Sequence, residues 1–161
     1  MKRPVDLGRR FLTLADRDIK TFHLLAAIPD SDDQAVGFHA QQSIEKCIKA
    51  VLSVSEIAFR KTHDLVELID LLRDRGKNLP PDAEALGTLN PFAVTMRYDL
   101  FEVEALHRDW MIKTVETVRA WAAQEIEIVE RNERSRGESE AAATDDEERP
   151  TDSTDGTDST R

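Results

Sequence analysis

The sequence predicts an all-α fold, an up-and-down bundle of about five helices followed by a disordered acidic C-terminal tail. Two observations carry this. Upstream of residue 137, apolar residues recur at steps of three and four, the period of a helix with one buried face, and no stretch shows strand-like alternation between hairpin turns. From Gly137 onward, GESEAAATDDEERPTDSTDGTDSTR contains no aromatic and no branched aliphatic residue except threonine, so it buries too little apolar area to offset its ordering entropy. The expected organisation is a bundle at 1–136 and a tail at 137–161, and a chain of 161 residues leaves room for one core.

Each helix has its own signals. Phe11, Ala15, Ile19, Phe22 and Ala26 form one stripe of a first helix, expected from about Asp6 to Ile28 and ended by Pro29. Ser31 with Gln34 reads as a capping box that opens a second helix. Its stripe is Ala40, Ile44, Cys47, Ile48, Val51, Val54 and Ala58, and with no breaker before Ile57 or Phe59 it is expected to be the central helix. Thr62 serves as the N-cap of a third helix, Thr62 to Arg75, with Asp64 at its positive end, Arg73 and Arg75 in its last turn and Gly76 just past it. Leu65, Leu68, Ile69 and Leu72 are its apolar face. Pro80-Pro81 breaks the chain, and Asn90-Pro91 looks like an N-cap with proline at the first helical position, which gives a short, interrupted fourth region from about Asp82 to Tyr98. The last helix, about Ala105 to Arg131, turns Met111, Val115, Val118, Ala122, Ile126 and Val129 inward, with Trp110 and Trp121 beside them.

Composition excludes several classes of function. Cys47 is the single cysteine, no histidines are spaced as zinc ligands, and neither a metal nor another cofactor is expected. No run of about 18 apolar residues exists to cross a bilayer, and no apolar segment follows the charged N-terminus as in a secretory leader. A soluble, cytoplasmic protein is expected. The net charge of −10 is uneven: residues 138–161 carry nine acids and two arginines, −7, which leaves −3 for residues 1–137. The bundle is therefore nearly balanced, and the acidic total does not exclude an anionic ligand.

Several local patterns then occur in a fixed order: Ala15-x-x-Asp18-Ile19-Lys20, Phe38-His39-Ala40-Gln41-Gln42-x-x-Glu45-Lys46-x-x-Lys49-Ala50, Lys61-Thr62-His63-Asp64-Leu65 and Arg97-Tyr98. In that order and spacing, over roughly residues 8–130, the chain resembles the HEPN domain (higher eukaryotes and prokaryotes nucleotide-binding). One departure is Asp99, where proline usually follows the Arg-Tyr pair. The resemblance implies a helical bundle that commonly forms homodimers, is often encoded beside a minimal nucleotidyltransferase, and works in toxin–antitoxin and other RNA-directed systems.

It also raises a catalytic question, because ribonuclease members carry an arginine followed four to six residues later by histidine. A base must activate the 2′-hydroxyl while a guanidinium stabilises charge on the same phosphate. Here Arg97 stands in the corresponding region, but Glu102, Val103 and Glu104 occupy the downstream positions and His107 comes ten residues on. In a continuous helix that separation means about 15 Å of rise and an offset of about 80°. Arg17 and His23 match the spacing formally, at about the rate chance allows for a short motif. The sequence therefore favours a binding protein, with a metal-independent endoribonuclease toxin and a non-catalytic helical adaptor as alternatives; Arg97 and His107 are the only catalytic candidates. For a phosphate or nucleotide, Arg60, Lys61 and His63 beside a helix N-terminus, together with Arg97, are the expected contacts. Gln41, Glu45, Lys49, Asp64 and Tyr98 are expected to form structural polar contacts, with Lys49 or a basic residue from another helix as the partner a buried Glu45 requires. His23, His39 and His107 are assigned to packing or solvent.

Overall fold

The computed structural model describes residues 3–95 and 107–147. All regular structure among them is helical: α1 (Pro4–Ala26), α2 (Asp33–Val54), α3 (Leu65–Asp74), α4 (Ala83–Leu86), a 3-10 turn (Gly87–Leu89), α5 (Asn90–Thr95) and α6 (Arg108–Glu147). Residues up to Glu130 form one compact unit and those from Arg131 a second.

The first unit is organised around α2, of whose 22 residues 15 are buried, as expected of a helix with neighbours on nearly every side. Close approach to α1 depends on Gly8: a Cβ there would stand 2.4 Å from Val54 Cγ1 and 3.1 Å from the Ala50 carbonyl oxygen. Gly37 does the same toward α5, since its Cβ would meet the Phe92 ring at 2.2 Å. Further α6 runs antiparallel to α1, joined by ion pairs of Arg9 with Glu130 and of Asp16 with Arg119. The predicted stripes are the core. Ala15 and Phe22 of α1, Leu65, Leu68, Ile69 and Leu72 of α3, and Met111, Val115, Val118, Ala122 and Ile126 of α6 are all buried. Each fully buried leucine or isoleucine contributes about 2 kcal/mol through the hydrophobic effect.

Several boundaries differ from the sequence expectation, each for a local reason. The first helix starts at Pro4, where the missing N–H costs nothing, and ends at Ala26. Ser31 does not cap the second; Asp32 does, its carboxylate accepting from Gln34 N at 3.1 Å. The Ser31 hydroxyl instead turns back to the carbonyl oxygens of Leu25 and Ile28, at 2.5 and 2.8 Å. Helix α2 stops at Val54, short of Phe59, because Glu56 takes a left-handed conformation (φ 55°) and Ile57 N donates to Leu52 O at 2.9 Å. That is a Schellman stop with glutamate where glycine is usual, and it leaves Ala58 exposed. The N-cap of α3 is Asp64 rather than Thr62, while Gly76 (φ 61°) ends it as expected. Asn90 caps α3 from a distance, accepting from Leu65 N at 2.9 Å.

The last helix does not end at Arg131 but continues to Glu147. Residues 131–143 are all exposed, so this part of α6, in the second unit, buries nothing. No described helix is long and apolar enough to cross a membrane.

Candidate functional site

The polar residues of α2 fall on two sides of the helix. His39 and Lys46, seven apart, face Asp18 of α1: Lys46 Nζ donates to Asp18 Oδ2, and His39 Nδ1 lies 3.1 Å from Asp18 Oδ1. Gln41, Glu45 and Lys49, at successive steps of four, face the segment that leads into α3. The Glu45 side chain, 4% exposed, accepts from Lys49 Nζ at 2.7 Å and lies 3.0 Å from His63 Nδ1. Each of the two carboxylates thus holds one lysine and one histidine. A carboxylate as enclosed as Glu45 needs such a partner set, because burying an unpaired charge costs several kcal/mol.

The second cluster also fixes backbone. Lys49 Nζ donates to the Thr62 carbonyl at 2.8 Å and Gln41 Nε2 to the His63 carbonyl at 2.9 Å, so consecutive peptide groups are held from α2. Gln42 Nε2 donates to Gln41 Oε1 at 2.7 Å and keeps that amide oriented. Lys49 Nζ also lies 5.8 Å from the centroid of the Phe59 ring, within cation–π range. Thr62 Oγ1 accepts from Asp64 N at 3.2 Å and the Asp64 carboxylate accepts from Val66 N at 2.9 Å. Asn90 closes the set, donating through Nδ2 to Asp64 Oδ1 at 2.8 Å.

The N–H groups of Leu65, Val66 and Glu67 therefore already have acceptors in Asn90 and Asp64. An anion here would be held by side chains rather than by the helix terminus. Lys61 is exposed, and the His63 side chain is 55% exposed with Nδ1 engaged, which leaves Nε2 as its available nitrogen. Arg60 is bound by Glu67 through two N–H···O contacts of 2.6 Å. Those hydrogen bonds raise the Arg60 pKa and hold the Glu67 carboxyl below its usual range.

Arg97 and Tyr98 lie outside the described residues. His107 is exposed just before α6, its carbonyl oxygen accepting from Met111 N at 3.2 Å. His23 Nε2 lies 4.0 Å from Glu116, so among the four histidines His39 and His63 are the ones closely held by carboxylates. Cys47 is buried, and desolvation pushes its thiol up to about 12, the reverse of what a nucleophile needs. Among the described residues, no group of three or more His, Cys, Asp or Glu is placed to hold a metal ion.

The expected Glu45–Lys49 pair and the Gln41 contact are present. The pairing of His39 with Asp18 was not anticipated, nor was that of His63 with Glu45. Both histidines belong to the ordered patterns that carried the resemblance, and that was the available signal. Arg108, which clamps the end of α1, had none.

The fold and the site define a helical bundle whose central helix neutralises one buried and one partly buried carboxylate and positions the segment entering α3. A family model for the HEPN domain matches residues 9–129, and the chain belongs to the HEPN domain family. Membership ties it to nucleotide- or RNA-related function in general terms. Comparison with curated proteins and with solved structures gave no match.

Proposed function

We propose that this protein acts by binding. As a homodimeric HEPN protein of the cytoplasm it engages a cognate minimal nucleotidyltransferase, as in toxin–antitoxin modules, and takes nucleotide or RNA phosphate at Lys61 and His63, with Arg60 beside them and Arg97 as a second candidate contact. The observation that supports this is the hold of Lys49 and Gln41 on the Thr62 and His63 carbonyls. It fixes the backbone that carries the exposed Lys61 and His63 side chains before any ligand arrives, which lowers the ordering cost of binding. Titration of ATP, GTP and a labelled oligoribonucleotide tests the reading. Lys61→Glu with His63→Ala is expected to weaken binding about a hundredfold, the scale of two lost charge-assisted contacts. Unchanged affinity would remove the segment from the site, and co-expression with the nucleotidyltransferase followed by size exclusion tests the protein partner.

The endoribonuclease reading is favoured by one feature: both His39 and His63 have Nδ1 against a carboxylate, the arrangement that orients an imidazole for proton transfer at Nε2. It requires cleavage of labelled RNA in the presence of EDTA, lost on Arg97→Ala. A protein that binds neither nucleotide nor RNA and still joins its partner would be the helical adaptor.

A further inference from the structure

On the exposed side of α1, Leu7, Arg10, Phe11 and Leu14 line an open concavity of about 230 Å³. Their spacing is i, i+3, i+4, i+7. This is the diamond of four side chains that one helix offers to a single knob of a facing helix. Leu7 is 39% exposed, among the few large apolar residues left so open, while Phe11 rests against Phe59 with ring centroids 6.0 Å apart. The wall behind the diamond is therefore packed, and among the described residues no side chain fills the concavity itself.

Charge restricts the occupant further. The carboxylates of α1 are all engaged: Asp6 with Arg3, Asp16 with Arg119, and Asp18 with Lys46 and His39. Arg10 and Arg17, seven residues apart on one edge of the stripe, have no ion-pair partner among the described residues. A second copy packed through the same diamond about a two-fold axis would bring Arg10 toward the Arg10 of that copy, with no α1 carboxylate left to separate them.

We infer that the Leu7–Arg10–Phe11–Leu14 diamond is a docking site for one amphipathic helix of another protein, with a leucine, isoleucine or methionine knob and carboxylates on the edge that meets Arg10 and Arg17. This gives the protein-binding half of the proposed function a surface, and it does not involve the Lys61 and His63 segment.

The test uses the full chain and two fluorescein-labelled helical peptides of about three heptads, leucine at the seam and either glutamate or lysine on the flanks. Anisotropy titrations are expected to show the glutamate peptide binding about tenfold tighter, one favourable charged contact against one unfavourable. Leu14→Asn weakens the glutamate peptide about tenfold, Arg10→Glu together with Arg17→Glu reverses the preference between the two peptides, and Lys61→Glu changes neither. Reversal cannot come from a variant that has merely unfolded. Equal binding of the two peptides, or no binding of the glutamate peptide at about 1 mM, would overturn the inference, as would sedimentation showing a dimer of the chain that Arg10→Glu disrupts. Nucleotide titration of the variant with both Arg10→Glu and Arg17→Glu separates the two claims: unchanged nucleotide affinity with reversed peptide preference supports both, and lost nucleotide affinity overturns the separation of the surfaces.

Discussion

Arg108 Nη1 donates to the carbonyl oxygen of Ile28 at 2.7 Å, so the first residue of α6 closes the turn that follows α1. Its Nη2 reaches Ser31 O at 2.7 Å and Asp33 Oδ1 at 2.8 Å, and the side chain is 20% exposed. Carbonyls past a helix C-terminus lack intrahelical donors, and a planar guanidinium can serve several at once. Arg108→Met should lower stability by about 2 kcal/mol, the scale of charged hydrogen bonds to partly buried acceptors. Arg108→Lys should recover little of this, because one ammonium cannot span three acceptors. Urea denaturation of the three proteins decides it, and a lysine variant as stable as wild type would refute the clamp.

The Glu45–Lys49 pair should behave as a unit. Lys49→Met leaves a carboxylate that is 4% exposed with His63 and the glutamine amides for support, and should cost about 3 kcal/mol. Glu45→Gln alone strands the ammonium and should cost a similar amount. The double variant removes both charges and should be less destabilised than the sum of the singles by at least about 1 kcal/mol. Simple additivity in a double-mutant cycle would mean that the two charges do not stabilise one another.

Glu56 ends α2 in the left-handed region at φ 55°, where a side chain is disfavoured by about 1 kcal/mol. Glu56→Gly should raise the unfolding free energy by a few tenths to about 1 kcal/mol, the usual gain from glycine at a Schellman stop less its greater unfolded-state entropy. A Glu56→Ala variant retains the Cβ and should gain nothing, so equal thermal midpoints for the alanine and glycine variants would sink the argument.

These stops and clamps mark where the sequence ceased to be readable. The stripes were legible because burial repeats with the helical period: Leu65, Leu68, Ile69 and Leu72 are buried as their spacing requires, and Lys49 lies one turn from Glu45 where a partner is needed. Competition between neighbours was not. Ser31 and Asp32 are both good caps, and the serine is drawn away by the carbonyls of Leu25 and Ile28. Asn90 looks like the cap of its own helix yet serves Leu65, 25 residues earlier. The Asp18 contacts with His39 and Lys46 join residues 21 and 28 apart, so no local pattern announces them. The α1 diamond was hidden differently, since Phe11 belongs to the apolar stripe of its helix and only the structure shows Leu7, Arg10 and Leu14 lining an open concavity with it.

Cys47 predicts a specific alkaline weakness. The thiol is buried, and desolvation raises its pKa from 9.0 to about 12. Between those values the unfolded chain has released the thiol proton while the folded chain still holds it, so the unfolded state binds fewer protons and stability falls as pH rises. The contribution is complete below about pH 9 and is lost progressively toward pH 12, by up to about 1.4 kcal/mol per pH unit. The measurement is the difference between wild type and Cys47→Ala in urea unfolding at about pH 8, 9.5 and 10.5, which isolates the thiol. The alanine variant should carry a constant packing loss at pH 8 that narrows, and can change sign, by pH 10.5. A difference that stays constant across the series would show that the native thiol ionises as readily as an exposed one.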